Sequence, residues 1–476
     1  MSPDASSASA RTARVTRFAP SPTGELHLGN ARTALFNYLL ARQSGGRFLL
    51  RIEDTDRERS LEAHTGALMN ELRWLGIEWD AGPDREDARG PYRQSERSPL
   101  YARYFAVLEG AGAVYPCYCT SAELELARRA QLASGRPPRY PGTCRDLTLE
   151  ERTRRETQGL PATLRYRVPS GERIEFHDFV HGPQSFLSDD IGDFVVRRTD
   201  GSAAFFFCNA IDDATQGVTL ALRGEDHLAN TPRQLLILAA LALPAPQYGH
   251  VPLILAEDGA PLSKRHGAVS VREYRERGYL PLALLNHLFR LGHAPARHDL
   301  LSPQEMAQAF APEHLGRAPA RFDATQLTMW QKAAVHQLSP AAAHAWLAPV
   351  LPAAIDEHAA DAFIAAVLPN LVLPADARTW LEIVFGGPPP LEAAAEEAVR
   401  RAGSGYFSAA AAAAAREGAD LPAIAGAVRA ATGRKGAELY MPLRAALTGR
   451  AHGPELAPLL KAMPAGQARA RLARFA

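Results

Sequence analysis

The hydrophobic pattern divides the chain into an alternating first half and a helical second half. Arg14–Phe18 has the β-branched content of a short strand, Pro20 and Pro22 exclude a helix next, and Ala31, Leu35, Tyr38, Leu39 and Arg42 then recur at helical spacing. Ser44-Gly45-Gly46 stops that helix, and Arg47–Ile52 predicts a buried strand. Strand, loop, helix, strand is half of a doubly wound parallel sheet. A helix over Glu62–Leu75 closes at Trp74-Leu75-Gly76, and the Gly- and Pro-bearing run from Ala81 to Pro91 predicts a crossing into an insertion that lasts to about Asp193. The sheet is expected to resume with strands at Phe194–Val196 and Phe205–Asn209, then Val218–Leu222. A helix from Arg233 to Leu243 follows, with Thr231 as N-cap and Pro232 in its first turn, and His250–Leu255 reads as the last apolar strand. Beyond Gly278–Pro281 the chain is helical, and after about Ala324 it is Ala-rich, broken once by Gly386–Pro390. Ala409–Ala415 is plain helix former, and no internal repeat is present.

This organisation predicts α/β architecture: a Rossmann-type doubly wound domain in two halves, 14–90 and 194–260, interrupted by an insertion at 91–193. A connecting region follows at 261–325, and two all-α subdomains at 326–387 and 388–476 complete the chain. Residues 1–13 are small and polar, without an apolar run, and fit a frayed tail instead of a signal peptide. The size and the 46% hydrophobic content suit two to four domains with large cores. A net charge of +1 gives no global pull towards nucleic acid, so RNA contacts would have to come from local patches. No stretch reaches membrane-span length, which predicts no membrane partner, and the four cysteines suit a reducing compartment, the cytoplasm by default.

Candidate chemistry concentrates where strands end. The turn Arg17-Phe18-Ala19-Pro20-Ser21-Pro22-Thr23-Gly24-Glu25-Leu26-His27-Leu28-Gly29-Asn30 feeds a helix N-terminus, whose unpaired N–H groups and positive dipole end suit phosphate. His27 can donate to a phosphoryl oxygen, Gly29 lets a base approach, and Asn30 stands beside them. Glu53-Asp54-Thr55-Asp56 follows the second strand, where open α/β sheets place ligand contacts. Asp54 and Asp56 serve equally well as helix caps, whereas Glu53 suits a substrate amine. Arg223-Gly224-Glu225-Asp226-His227 ends a later strand, and Arg17 with Arg223 offers two guanidinium forks for a side-chain carboxylate.

Of 53 basic residues only Lys264, Lys332, Lys435 and Lys461 are lysine, which singles out Lys264 in Leu262-Ser263-Lys264-Arg265-His266-Gly267 as a phosphate ligand on a Gly-flanked loop. Cys117, Cys119 and Cys144 could hold zinc, with Asp146 or Tyr140 as fourth ligand, or be three small buried residues. No Gly-x-Ser-x-Gly, no Gly-Lys-Ser/Thr phosphate loop and no Cys/His nucleophile pair is present. The set points to activation of a dicarboxylic amino acid by ATP, a displacement at phosphorus that needs positioning and charge stabilisation and no covalent nucleophile.

These residues resemble the bacterial glutamyl-tRNA synthetases, a class I aminoacyl-tRNA synthetase family. Arg17–Arg32 is similar to the first class-defining motif and Leu262–Arg265 to the second, and Arg51–Arg57, Arg223–Asn230, Ala320–Asp323 and Met441–Pro454 resemble further blocks, so the likeness is nearly full length. It implies that ATP with Mg²⁺ and L-glutamate give glutamyl-adenylate, and that the glutamyl group passes to the 3′ end of tRNA(Glu), or of tRNA(Gln) as well. By position the amino-acid pocket falls on Arg17, Ala19, Ser21, Glu53, Phe205, Asn209 and Arg223. The ATP contacts fall on His27, Gly29, Asn30, Asp226, Ser263, Lys264 and Arg265. The insertion would grip the acceptor end of tRNA and the helical part would read the anticodon, in a monomer.

Four positions depart from the family pattern: Asn30 replaces a His, Pro261 a Lys, Phe205 a Tyr, and Asp146 the His of a zinc-binding Cys-x-His. A small-molecule nucleotidyltransferase has no use for the helical arm, an RNA-binding protein without catalysis is disfavoured by intact His27 and Lys264, and a truncated relative acting on a modified tRNA base lacks that arm. Arg223, which prefers a carboxylate to an amide, argues against glutamine as substrate.

Overall fold

The computed structural model describes residues 12–55, 62–260, 262 and 270–476. The chain forms two compact units, Met1–Glu273 with Leu285–Asp323, and Tyr274–Leu284 with Ala324–Ala476.

In the first unit β1 (Val15–Phe18) leads through the proline-bearing loop into α1 (Leu28–Gln43), which ends at Ser44 and at Gly45 with φ +64°. β2 (Arg47–Leu50) returns parallel to β1, Val15 opposite Arg47 and Phe18 opposite Leu50. α2 (Glu62–Trp74) and α3 (Ser98–Gly110) follow. Then come β3 (Val114–Cys117), α4 (Ser121–Ala133), α5 (Leu149–Thr157), β4 (Thr163–Tyr166), the hairpin β5 (Arg173–Asp178) and β6 (Gly182–Leu187), a single turn α6 (Ser188–Ile191), and β7 (Phe194–Arg197). α7 (Phe205–Thr215), β8 (Leu220–Gly224), α8 (Thr231–Ala240) and β9 (Gln247–Val251) follow, and β10 (Ile254–Leu255) pairs in parallel with β11 (Ala320–Arg321).

The parallel sheet has the order β2-β1-β8-β9, so the chain leaves it after β2 and re-enters beside β1. Ligand-contacting loops belong at the carboxyl ends of such strands. α1 buries Ala31, Leu35, Phe36, Leu39 and Leu40 completely or nearly so, as a helix packed between layers must. A second core joins α3, α7 and the antiparallel sheet β3-β4-β7, with the Phe105 and Phe207 rings stacked at 4.2 Å. The other unit is helical around Leu347, Phe363, Tyr406, Phe407, Ile424, Leu443 and Leu459, and the Ala-rich helix Ser404–Glu417 buries Ala410, Ala413 and Ala414. Among the described residues no single helix is long and apolar enough to cross a membrane.

Four local expectations are corrected. Phe205–Asn209 is helix, not strand. A short apolar run satisfies both periods, and here the helical one puts Phe207, Cys208 and Ile211 into the core. Phe194–Val196 is a strand, but in the antiparallel sheet with β4. His250–Leu255 is split, because Pro252 has no N–H for the ladder; its carbonyl instead accepts from Arg32 Nη2. Thr231 is not the N-cap: it is the first residue of α8, and its buried hydroxyl serves Arg223.

Candidate active site

The loop after β1 is tied down by Leu26 N–H donating to Glu71 Oε2 on α2 (3.1 Å) and by Glu53 N–H donating to Pro20 C=O (3.0 Å). Ala31 N–H makes the first bond of α1, to His27 C=O, so the N–H groups of Leu28, Gly29 and Asn30 have no partner within the helix itself. His27 stands at the N-cap with extended backbone, exposed and without a side-chain cap bond. A Cβ at Gly29 would meet nothing within 4 Å, so the glycine keeps an open face in front of the helix.

A cleft of ≈ 390 Å³ is lined by Arg17, Ala19, Ser21, Gly29, Asn30, Glu53, Phe205, Asn209, Arg223 and Asp226, all expected site residues. His27 is not among the lining residues; it stands at the N-cap of α1, two residues before Gly29. Ser263, Lys264 and Arg265 lie outside the described residues, as do Pro261 and Asp56. Asp54 accepts from Ser95 N–H and Oγ at 2.8 and 2.7 Å, which makes it an anchor for the segment before α3.

Beneath the cleft lies a buried charge network. Arg17 donates from Nε and Nη2 to the two oxygens of Asp213 (3.1 and 3.3 Å) and from Nη1 to Leu222 C=O. Arg51 is fully buried, with Nη1 2.8 Å from Asp213 Oδ1 and Nη2 donating to Asn209 Oδ1 (3.0 Å). Asp212 accepts from Arg97 Nε (2.6 Å), Gln94 Nε2 and Tyr101 Oη. Burial alone would raise the Asp213 pKa, but Arg17 and Arg51 outweigh it and hold the carboxyl below its usual range. Glu53 shows the opposite balance: burial pushes it up to about 7 against Arg51 and Arg17.

Arg223 is different. It is buried, and its partners are neutral: Nε faces His250 Nε2 (3.2 Å), and Nη2 donates to Thr231 Oγ1 (2.9 Å) and Gln234 Oε1 (2.8 Å). Its Nη1 is buried with no hydrogen-bond partner among the described residues. Burial pulls its pKa down to about 10. An uncompensated buried cation opening on a cleft asks for an anion. The Phe205 ring brings no hydroxyl and stacks on His227 at 5.4 Å.

The part that Asp213, Arg51, Thr231, Gln234, His250 and Asp178 play in the site escaped the sequence reading, which had Thr231 only as a helix cap and His250 only as the start of a strand. Asp213 was within reach of it: Phe205, Asn209 and Asp213 are four apart and share one face of α7, a pattern hidden by reading that segment as strand. Asp178 and His250 are 72 residues apart and leave no local signal.

A second cluster lies in the insertion. The sulfurs of Cys117, Cys119 and Cys144 all lie within 4.8 Å of one another, and Cys119 and Cys144 are 3.7 Å apart. Tetrahedral Zn–thiolate bonds place sulfurs about 3.8 Å apart, so the set fits zinc. Tyr140 Oη stands 3.3 Å from Cys117 Sγ and 3.7 Å from Cys119 Sγ. Asp146 does not join them; its side chain is 84% exposed and pairs with Arg167. Burial raises the Cys117 pKa, but Tyr140 and Arg165 outweigh it and bring the thiol down to about 7.

Two family models match the chain: tRNA synthetases class I (E and Q), catalytic domain, over residues 14–329, and an anticodon binding domain over 344–476. Glutamate–tRNA ligase 2 of Alkalilimnicola ehrlichii is 56% identical over 460 residues, covering 96% of both chains. The glutamate–tRNA ligase 2 of Nitrosococcus oceani is 53% identical over 462 residues, covering 97% of this chain and 98% of its own. Among solved structures, the glutamate-tRNA synthetase of Elizabethkingia anophelis superposes with a TM-score of 0.89 at 29% identity, over 97% of this chain and 99% of that one. A glutamate tRNA ligase of Elizabethkingia meningosepticum, solved in complex with its amino acid, gives 0.88 at 28% identity over the same shares. With the cleft at the carboxyl ends of β1 and β8, the first motif in the turn that leads into α1, and both family models matched along the sequence, the chain belongs to the class I aminoacyl-tRNA synthetases of the glutamate and glutamine type.

Proposed function

We propose that the chain is a glutamate–tRNA ligase, activating L-glutamate with ATP and passing the glutamyl group to the 3′ end of tRNA(Glu). The observation that carries the choice of amino acid is Arg223, a buried cation with neutral partners and an unpartnered Nη1 in the same cleft as Glu53. A side-chain carboxylate completes it; the amide of glutamine would leave its charge unbalanced. Arg17 lines the same cleft with its Nε and Nη2 held by Asp213 and its Nη1 by Leu222 C=O, so it adds positive charge beside Arg223, and Glu53 takes the α-ammonium.

In the first step an oxygen of the α-carboxylate attacks the α-phosphorus of Mg²⁺-bound ATP, the bond to the bridging oxygen breaks, and pyrophosphate leaves. The first-turn N–H groups of α1 and His27 stabilise the phosphoryl oxygens, and Lys264 meets the charge that grows on pyrophosphate. In the second step a ribose hydroxyl of the terminal adenosine attacks the acyl carbon and AMP departs. In this reading the segment 91–193 grips the acceptor end of tRNA and the helical part from 326 to 476 reads the anticodon, which the anticodon binding domain match over 344–476 supports. Cys117, Cys119, Cys144 and Tyr140 would hold a structural zinc ion that pins β3 to the Tyr140–Cys144 loop.

The test is aminoacylation by the purified chain with radiolabelled glutamate on tRNA(Glu) and tRNA(Gln) transcripts in parallel. Charging of tRNA(Glu) is expected. Charging of both transcripts widens the substrate to tRNA(Gln), and charging of neither refutes the proposal.

A further inference from the structure

We propose that Asp178 and His250 are positioning residues for Arg223, a relay from the β5–β6 turn that aims the guanidinium at the substrate carboxylate; it rests on the glutamate reading above. Arginine has donors only. Because Arg223 Nε lies 3.2 Å from His250 Nε2, that nitrogen must accept, and the ring proton sits on Nδ1. Nδ1 in turn donates to Asp178 Oδ2 at 2.5 Å. The other oxygen of Asp178 accepts from the N–H groups of Val180 (2.9 Å), His181 (2.8 Å) and His250 (3.3 Å), so the carboxylate cannot turn. Both side chains are fully buried.

The pair is not needed to dock the hairpin. Phe179 N–H already donates to Tyr248 C=O at 2.8 Å, and Phe179 packs over Gly249, where a Cβ would come within 2.9 Å of it. What the imidazole adds is a fixed acceptor for Nε, while Thr231 and Gln234 hold Nη2. All of the anchoring falls on two nitrogens, and Nη1 is kept for the ligand. Burial and the neighbouring Arg223 keep the His250 pKa below its usual value despite Asp178, in accord with a neutral ring.

The experiment compares wild type with His250→Phe, His250→Gln and Asp178→Asn, measuring KM and kcat for glutamate and for ATP in tRNA charging, glutamate binding by calorimetry, and thermal melting. His250→Phe should raise KM for glutamate and weaken its binding by about ten- to a hundred-fold, the scale of a lost hydrogen bond to a charged group, with KM for ATP nearly unchanged. Preference for glutamate over glutamine should fall with it. His250→Gln, whose Oε1 can accept from Nε, should recover most of the loss. Asp178→Asn puts an amide N–H against either the backbone donors or Nδ1, and should show the same glutamate-specific defect; it carries the test if His250→Phe does not fold. A charging-competent wild type whose folded variants keep the wild-type KM for glutamate overturns the relay alone. So does a loss shared equally by kcat and both KM values and accompanied by a fall in melting temperature. A wild type that neither binds glutamate nor charges tRNA overturns the glutamate reading and the relay together.

Discussion

Replacing Asp213 with asparagine removes one charge from a site where none is spare. The buried network holds three guanidinium groups, Arg17, Arg51 and Arg97, against three carboxyl groups, Glu53, Asp212 and Asp213. Asp213 binds two of the cations at once, Arg17 through both oxygens at 3.1 and 3.3 Å and Arg51 at 2.8 Å. An asparagine keeps a single acceptor oxygen and turns an amide N–H towards a guanidinium. Breaking a buried ion pair from one side costs about 3–5 kcal/mol, because the remaining charge stays desolvated. That loss should appear as a lower melting temperature of the first unit. Arg17 is freed as well, so KM for glutamate should rise by about a hundred-fold while KM for ATP moves little, the size expected when a charged group loses its fixed geometry. The assay is thermal and denaturant unfolding with charging kinetics, on Asp213→Asn, Arg51→Gln and the double variant. The double variant restores two charges against two, so its stability loss should be smaller than the sum of the single losses by about 1–3 kcal/mol. Additive losses, or an Asp213→Asn protein with wild-type melting and KM for glutamate, would refute the charge-balance reasoning.

Glu53, with its pKa near 7, should impose an acid limb on kcat/KM for glutamate, which falls up to about ten-fold per unit as pH drops below that value and the ammonium partner is neutralised. Glu53→Gln should lower kcat/KM and abolish the limb; a limb of unchanged pKa in that variant would assign it elsewhere. The same raised pKa makes ionised Glu53 a cost to folding, so its contribution to stability declines as pH rises from about 4.5 to 7, which urea unfolding at the two pH values would detect. Lys264→Ala should reduce charging by about a hundred-fold or more with glutamate binding nearly intact, and wild-type charging by that variant would remove the role. Elemental analysis should find one zinc per wild-type chain and none in Cys144→Ser; metal-free wild type would end the zinc assignment.

Much of the catalytic unit is legible in the chain because its signals are local. Pro20 and Pro22 hold the segment before α1 out of helix, Gly29 leaves its first turn open, and Glu53 and Arg223 follow at or beside strand ends, where the parallel sheet collects them. The failures are equally physical. Phe205–Asn209 is apolar enough for either period, and only packing of Phe207 against Phe105 decides for the helix that brings Asn209 and Asp213 to the site. Asp146 has the chemistry of a zinc ligand, yet the loop leaves it in solvent and turns Tyr140 to the sulfurs.

The residue pattern by itself determined the turn, the helix behind it, the alternation of strands and the chemistry on offer. It offered Arg17 and Arg223 as two forks for one carboxylate and set Arg223 against an amide, but it could not show how either arginine is paired. The tertiary structure separates them: contacts across 196 residues give Arg17 the carboxylate of Asp213, while Arg223 receives a histidine, a threonine and a glutamine and keeps its Nη1 unpaired. Desolvation and pairing are properties of the packed neighbourhood and not of the residue, so which buried charge is left for a substrate is settled only when distant segments meet.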